Sequence, residues 1–144
     1  MTILALVRHG LTSWNENKLV QGRSDIPLSE KGRKQVRNWH VPVELKDFLI
    51  VSSPLIRAKE TAKILFGESI TTDDRLVEMD WSKWEGKSLK DLRAELGNLM
   101  EAWEAEGLDF RAPGGESPRE VQKRLKPFMH ERAKKKKNSK KILC

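Results

Sequence analysis

The eight residues ILALVRHG, Ile3 to Gly10, decide how this chain is read. Five apolar residues in a row, without alternation, describe a strand covered on both faces, as in a parallel sheet. An Arg, a His and a Gly follow directly. In open α/β sheets, sites form beyond the C-terminal ends of strands. The pattern recurs along the chain. FLIV (Phe48 to Val51) is a second continuous apolar run, SITT (Ser69 to Thr72) a weaker strand candidate, and ILC (Ile142 to Cys144) a fourth.

Helical patterns lie between these runs. PLSEKGRKQVRNW offers Ser29 as N-cap, with Gly32 weakening the first turn. SSPLIRAKETAKILFG places Ser53 as N-cap, Pro54 at the first helical position and Gly67 as C-terminal cap. Its Leu55, Ala58, Ala62 and Leu65 form one apolar stripe. SLKDLRAEL starts a helix at Ser88, and another is predicted from Asn98 to Glu106. ESPREVQKRLKPFMHERAKK carries a capping box, Ser117 to Glu120, and Pro127 is expected to kink or break that helix. Strand alternating with helix predicts a layered α/β domain, single over residues 1–144, with no internal repeat or linker.

Composition narrows the function classes. No apolar run is long enough to span a membrane, and MTILALVRHG lacks a basic n-region and a cleavage site, so it reads as a strand rather than a signal peptide. The single cysteine, Cys144, excludes an intramolecular disulfide and points to a reducing cytoplasm. The net charge of +7 is local: without Lys134, Lys135, Lys136, Lys137, Lys140 and Lys141 it is +1. Such a run reads as a solvated helix end. No aromatic interleaves with the lysines, so no nucleic-acid partner is expected.

Two strand ends carry chemistry. The first ends in Arg8-His9-Gly10. The second ends in Ser52-Ser53-Pro54, with Arg57 in the turn that opens the next helix. Arginine forks match phosphate oxygens, and a helix start offers free N–H groups, so Arg8 and Arg57 are placed to meet one anion. Asn15 and Arg23, in the loop after the first strand, add donors. A neutral imidazole beside a held phosphate is a nucleophile, and a phosphohistidine splits one hard transfer into two easier ones. Nearby arginines lower the imidazole pKa. The leaving oxygen needs an acid, and Asp73, Asp74, Glu78 and Asp80 all qualify, because a carboxyl beside phosphate holds its proton more tightly.

The chain resembles the histidine phosphatase superfamily, which includes cofactor-dependent phosphoglycerate mutases and α-ribazole phosphatases. LVRHGLTSWN is similar to its nucleophile motif and QGRSDIPLSEKGRKQ to its loop-to-helix segment. SSPLIRAKETA is similar to its second arginine motif, RLVEMDWSKWEG to its acid motif, and PGGESPREV to its Gly-Glu-Ser motif. The blocks stand in family order and cover most of the chain. The resemblance implies a three-layer α/β/α fold with a mostly parallel central sheet. It implies His9 as phosphorylated nucleophile and Arg8, Arg57 and Asn15 as phosphate-binding residues. Among the four carboxylates it picks Glu78 as the proton donor. It places Gln21 and Gly22 in contact with substrate, and Glu116 and Ser117 in the last motif. It implies a small phosphorylated metabolite as partner, with no metal and no diffusible cofactor.

Two departures qualify the resemblance. Ser82 stands where the family usually has Gly, which is tolerated if the backbone there is not left-handed. The family also has a second catalytic His, in a His-Gly motif directly after the strand that KKILC begins. His40 and His130 stand in no such motif and read as surface residues. The resemblance therefore implies a chain truncated at its C-terminus, without a further strand and helix. Loss of a charged hydrogen bond at a phosphoryl site costs about 2–4 kcal/mol, so a poorly active chain is expected. The leading expectation is a phosphomonoester hydrolase. The alternatives are a phosphoglycerate mutase and a catalytically inactive relative that binds a phosphorylated ligand.

Overall fold

The computed structural model describes residues 3–134 and the strand at 141–143. Most of the lysine run (Lys135, Lys136, Lys137 and Lys140) and Cys144 lie outside the described residues. Among the described residues four strands form one parallel sheet: β1 (Leu4–Leu6), β2 (Leu49–Ser52), β3 (Thr71–Thr72) and β4 (Lys141–Leu143). Their spatial order is β1-β4-β2-β3. The last strand in sequence thus fills the gap between the first two, pairing Leu4 with Lys141 on one side and Leu49 with Lys141 on the other. The C-terminal ends of β1 and β2 are held about 10 Å apart, two strand spacings. All four strand candidates of the sequence are present, each shortened or shifted by a residue or more.

Helices cover both faces, so the architecture is a three-layer α/β/α fold. On one face α3 (Ile56–Phe66) lays Ala62 and Phe66 on Phe48 and Ile50, with Ala5 and Val7 of the first strand segment. Helix α2 (Glu30–Arg37) packs on α3 from outside. It begins at the predicted cap, where Ser29 Oγ accepts from the Gly32 amide at 3.0 Å. The Gly32 that weakens this turn is demanded by packing. A Cβ there would run into the Leu11 carbonyl, and one on Gly10 would run into Val36. The two glycines let α2 cross directly over the loop that follows β1. On the other face α6 (Pro118–Lys134) buries Phe128 completely against Val51, beside Leu4 and Leu76. Burying such a ring is worth about 2–3 kcal/mol. The guanidinium groups of Arg75 and Arg132 stand 5.2 and 5.0 Å from its ring centre.

Three expectations need correction. The β1 segment reads as covered on both faces, but among the described residues β1 is an edge strand of the sheet and Leu6 is 75% exposed. Helix α3 does not start at Ser53–Pro54. Leu55 is still extended, and the first helical amide, Ile56 N–H, donates to Asp25 Oδ1 at 2.6 Å. A carboxylate from a distant loop does the capping that sequence order assigns to Ser53. Finally, Pro127 does not break α6, which runs unbroken to Lys134. The buried Phe128 one residue later fixes the helix on the sheet and outweighs the single missing amide bond.

A second apolar cluster stands apart from the sheet. Trp84, Leu92, Met100 and Ala112 are buried there, with Trp81, Trp103 and Phe110 packed around them. Helices α4 (Leu89–Leu96) and α5 (Asn98–Glu104) supply its walls, and Ser88 caps α4 through the Asp91 amide. Ring centres lie 5.7–6.1 Å apart. Among the described residues no helix is long and apolar enough to cross a membrane.

Candidate active site

The loops leaving β1 and β2 converge on one cleft. A cavity of about 190 Å³ is lined by Arg8, His9, Ser53, Arg57 and Glu78 together with Val7, Leu55, Ala58 and Leu76. A second, of about 230 Å³, is lined by Arg8, His9, Asn15, Gln21, Gly22, Glu78, Leu19 and Trp81. Arg8, His9 and Glu78 belong to both. Of the predicted residues, Arg8, His9, Asn15, Gln21, Gly22, Arg57 and Glu78 line one or both of these cavities.

His9 is half-buried, and its Nδ1 lies 2.7 Å from the Gly10 carbonyl oxygen. A carbonyl can only accept, so Nδ1 carries the proton and Nε2 keeps its lone pair. Burial lowers the His9 pKa below 6.5, against the Gly10 hydrogen bond, and the positive charges of Arg57 and Arg8 lower it further. The arginines anticipated in that role are therefore secondary to burial. Next door the Gly10 amide donates to Thr61 Oγ1 of α3, which anchors this backbone to the second strand's helix.

The two arginines differ. Arg8 is exposed, and among the described residues it enters no ion pair. Arg57 is 1% exposed, and its guanidinium donates to the carbonyls of Gly22 at 2.7 Å and Ser24 at 3.0 Å. Burial disfavours its charge, while Glu78, Asp25 and Glu85 favour it. The loop 22–25 is thereby strapped to α3 at both of its ends. Gly22 needs to be glycine: its φ is +46°, and a Cβ would collide with the Glu85 carboxylate.

Asn15 sits in the short helix α1 (Ser13–Glu16), where Thr12 is the cap. Asn15 Oδ1 accepts from the Thr12 amide at 3.0 Å, and the Asn15 amide donates to Thr12 Oγ1. Thr12 is fully buried and also bonds Gln21. A buried hydroxyl therefore ties two predicted binding residues together.

Glu78 is exposed at the cleft mouth and accepts from the Met79 amide. Its backbone is held from behind. Arg124 of α6 donates to the carbonyls of Arg75, Val77 and Glu78, and its guanidinium pairs with Glu116 at 2.8 and 3.1 Å. Glu116 also faces Arg23 at 3.4 Å. Burial works against the charged form of Glu116, but Arg124 and Arg23 hold its carboxyl below the usual range. Glu116 and Ser117 thus divide the work: Ser117 caps α6 with Glu120, and Glu116 steadies the Glu78 segment. Asp73 pairs with Arg75, and Asp80 receives the Ser82 amide, so neither of these carboxylates lines the cleft. His40 and His130 are exposed and line neither cavity. Among the described residues no group of three or more His, Cys, Asp and Glu is placed to hold a metal ion.

Comparison with known proteins identifies the family. The sequence profile of the histidine phosphatase superfamily (branch 1) matches residues 4–144. The chain belongs to the histidine phosphatase superfamily. Within it, the probable phosphoglycerate mutase GpmB of Salmonella paratyphi C (strain RKS4594) is 38% identical over 128 residues, 83% of this chain and 58% of GpmB. The chain thus spans 58% of the length of the curated relatives it matches. Among solved histidine phosphatase structures, the mycobacterial glucosyl-3-phosphoglycerate phosphatase in complex with VO3 superimposes with a TM-score of 0.85 at 31% identity, over 97% of this chain and 73% of that one. A putative alpha-ribazole-5'-P phosphatase from Escherichia coli K-12 gives 0.85 at 25% identity, over 99% and 73%.

One expectation about the family pattern fails. Ser82 has φ +45°, so the position that family members usually give to Gly is left-handed here and carries a side chain. The residues that sequence reading missed are Thr12, Thr61, Glu85 and Arg124. Thr61, Glu85 and Arg124 act through hydrogen bonds to segments far away in sequence, which leave no local signature, whereas Thr12 closes a capping box with Asn15 only three residues on.

Proposed function

We propose that this chain carries the phosphoryl-transfer half-site of a phosphomonoester hydrolase that works through a phosphohistidine on His9. The observation that carries the proposal is the His9 imidazole, its Nδ1 committed to Gly10, in one cleft with Arg8, Arg57 and Glu78. His9 Nε2 attacks phosphorus, the bond to the leaving oxygen breaks, and the Glu78 carboxyl gives that oxygen its proton. Arg8 and Arg57 offset the charge on the transferring group, with Asn15 contributing at the rim. Water then attacks phosphorus, the P–N bond breaks, Glu78 takes the water proton and inorganic phosphate departs. Gln21 and Gly22 border the substrate side. The substrate class is a small phosphorylated metabolite, and neither a metal nor a diffusible cofactor enters any step.

The 38% identity to a probable phosphoglycerate mutase supports a second reading, in which the phosphoryl group returns to the substrate before water attacks. The experiment measures p-nitrophenyl phosphate hydrolysis and 3-phosphoglycerate isomerisation side by side. Hydrolysis that disappears in His9→Ala, without isomerisation, is expected. Isomerisation exceeding hydrolysis overturns the hydrolase reading in favour of the mutase. The 144 residues by themselves are expected to turn over slowly, about two to three decades below a full site, because the resemblance calls for a second imidazole that neither His40 nor His130 supplies. Binding of phosphate esters without any labelling of His9 identifies a phospho-ligand-binding relative instead.

A further inference from the structure

Glu85 lies outside both cavities, yet its carboxylate accepts four hydrogen bonds beside the cleft. One oxygen accepts from the Arg23 amide at 2.7 Å and the Trp81 amide at 3.3 Å. The other accepts from the Ser24 amide at 2.7 Å and the Ser24 hydroxyl at 2.5 Å. Burial opposes its charge, and these bonds outweigh burial, leaving its carboxyl below the usual range. Two of the three amides it gathers belong to the residues that follow Gly22, Arg23 and Ser24. The carbonyls of Gly22 and Ser24 are the acceptors that orient the Arg57 guanidinium. The absence of a Cβ at Gly22 is what lets the carboxylate approach the loop this closely. The chain of contact is continuous: Glu85 carboxylate, loop amides, loop carbonyls, Arg57.

We infer that Glu85 is a positioning residue for anion binding, clamping the 22–24 loop so that its carbonyls aim the Arg57 guanidinium into the cleft. This rests on the phosphoryl-site reading above. Glu85 touches no substrate. It acts only through the loop, and therefore only while Arg57 has a planar fork to aim. A lysine at 57 keeps the charge but presents a point donor rather than a fork. The effect of losing Glu85 must then depend on which residue stands at 57.

The test measures orthovanadate affinity by calorimetry for wild type, Glu85→Gln, Arg57→Lys and the double variant, with thermal melts alongside. Glu85→Gln is expected to weaken vanadate binding about tenfold in the Arg57 background and less than about twofold in the Arg57→Lys background, a non-additive cycle. Ser24→Ala removes only the hydroxyl bond, and a smaller loss in the same direction is expected. It supplies the measurement if Glu85→Gln does not fold, and its effect must also shrink in the Arg57→Lys background. Equal losses in both backgrounds, or unchanged affinity, overturn the positioning role and leave Glu85 a structural residue. A wild type that binds no vanadate overturns the phosphoryl-site reading itself and this inference with it.

Discussion

His9 shows how a three-letter motif acquires direction. The Gly10 carbonyl fixes which ring nitrogen carries the proton, and burial keeps the ring neutral. Protonated imidazole has no lone pair to attack with, so the acid limb of His9 phosphorylation reports its pKa. The shift is downward, so labelling by acetyl phosphate is expected to hold its plateau to below pH 6.5 and to fall with a midpoint beneath that value. A midpoint at or above 6.5 contradicts the buried, neutral ring. The sign for stability follows. The unfolded chain binds this proton near pH 6.5 and the folded one only lower, so His9 reduces stability as pH falls below 6.5 and has no effect above it. That His9 and Arg57 share a cleft was legible from their places after two strands, whereas Glu78 was one of four candidate carboxylates and was picked out only by the family resemblance. Glu85 was not legible, since the Arg23 and Ser24 groups that it clamps lie about sixty positions away.

At the scale of elements, caps were legible and strand boundaries less so. Ser29, Ser88 and the Ser117–Glu120 box all cap as their sequence predicts, since each bond closes within three residues. The start of α3 was misread because its acceptor is Asp25, from a loop that only the fold brings near. The turn Ser82–Trp84 carries a local cost of the same kind, visible only in the backbone. It opens with Ser82 at φ +45°, in the link between the Glu78 segment and the tryptophan cluster. A left-handed non-glycine residue costs about 1–2 kcal/mol, and glycine returns part of that through unfolded-chain entropy. Ser82→Gly is therefore expected to stabilise the chain by about 1 kcal/mol, raising Tm by about 2–5 °C in a circular dichroism melt. The Ser82 amide bond to Asp80 survives the change. A lowered Tm contradicts the reading of Ser82 as strained.

Across the whole molecule, strand order and site are one fact. Placing β4 between β1 and β2 sets the two chemistry-bearing strand ends on either side of a single strand, so that His9 and Arg57 share a cleft although 48 residues separate them. The loop 22–25, strapped to Arg57, Asp25's helix start and Glu85, closes one wall. The segment carrying Glu78, held by Arg124, closes the other. The α/β class followed from continuous apolar runs alternating with capped helices. The exposure of Leu6 on edge strand β1 did not, because an apolar run carries no information about its place in the sheet. The measurement that tests this account most directly is a rapid acid-free quench of the chain after mixing with acetyl phosphate, followed by peptide mass spectrometry. The account predicts an acid-labile phosphate on His9, absent in His9→Ala and at least tenfold reduced in Arg57→Ala variants that remain folded. A folded wild-type chain that binds vanadate yet never carries phosphate on His9 would contradict it.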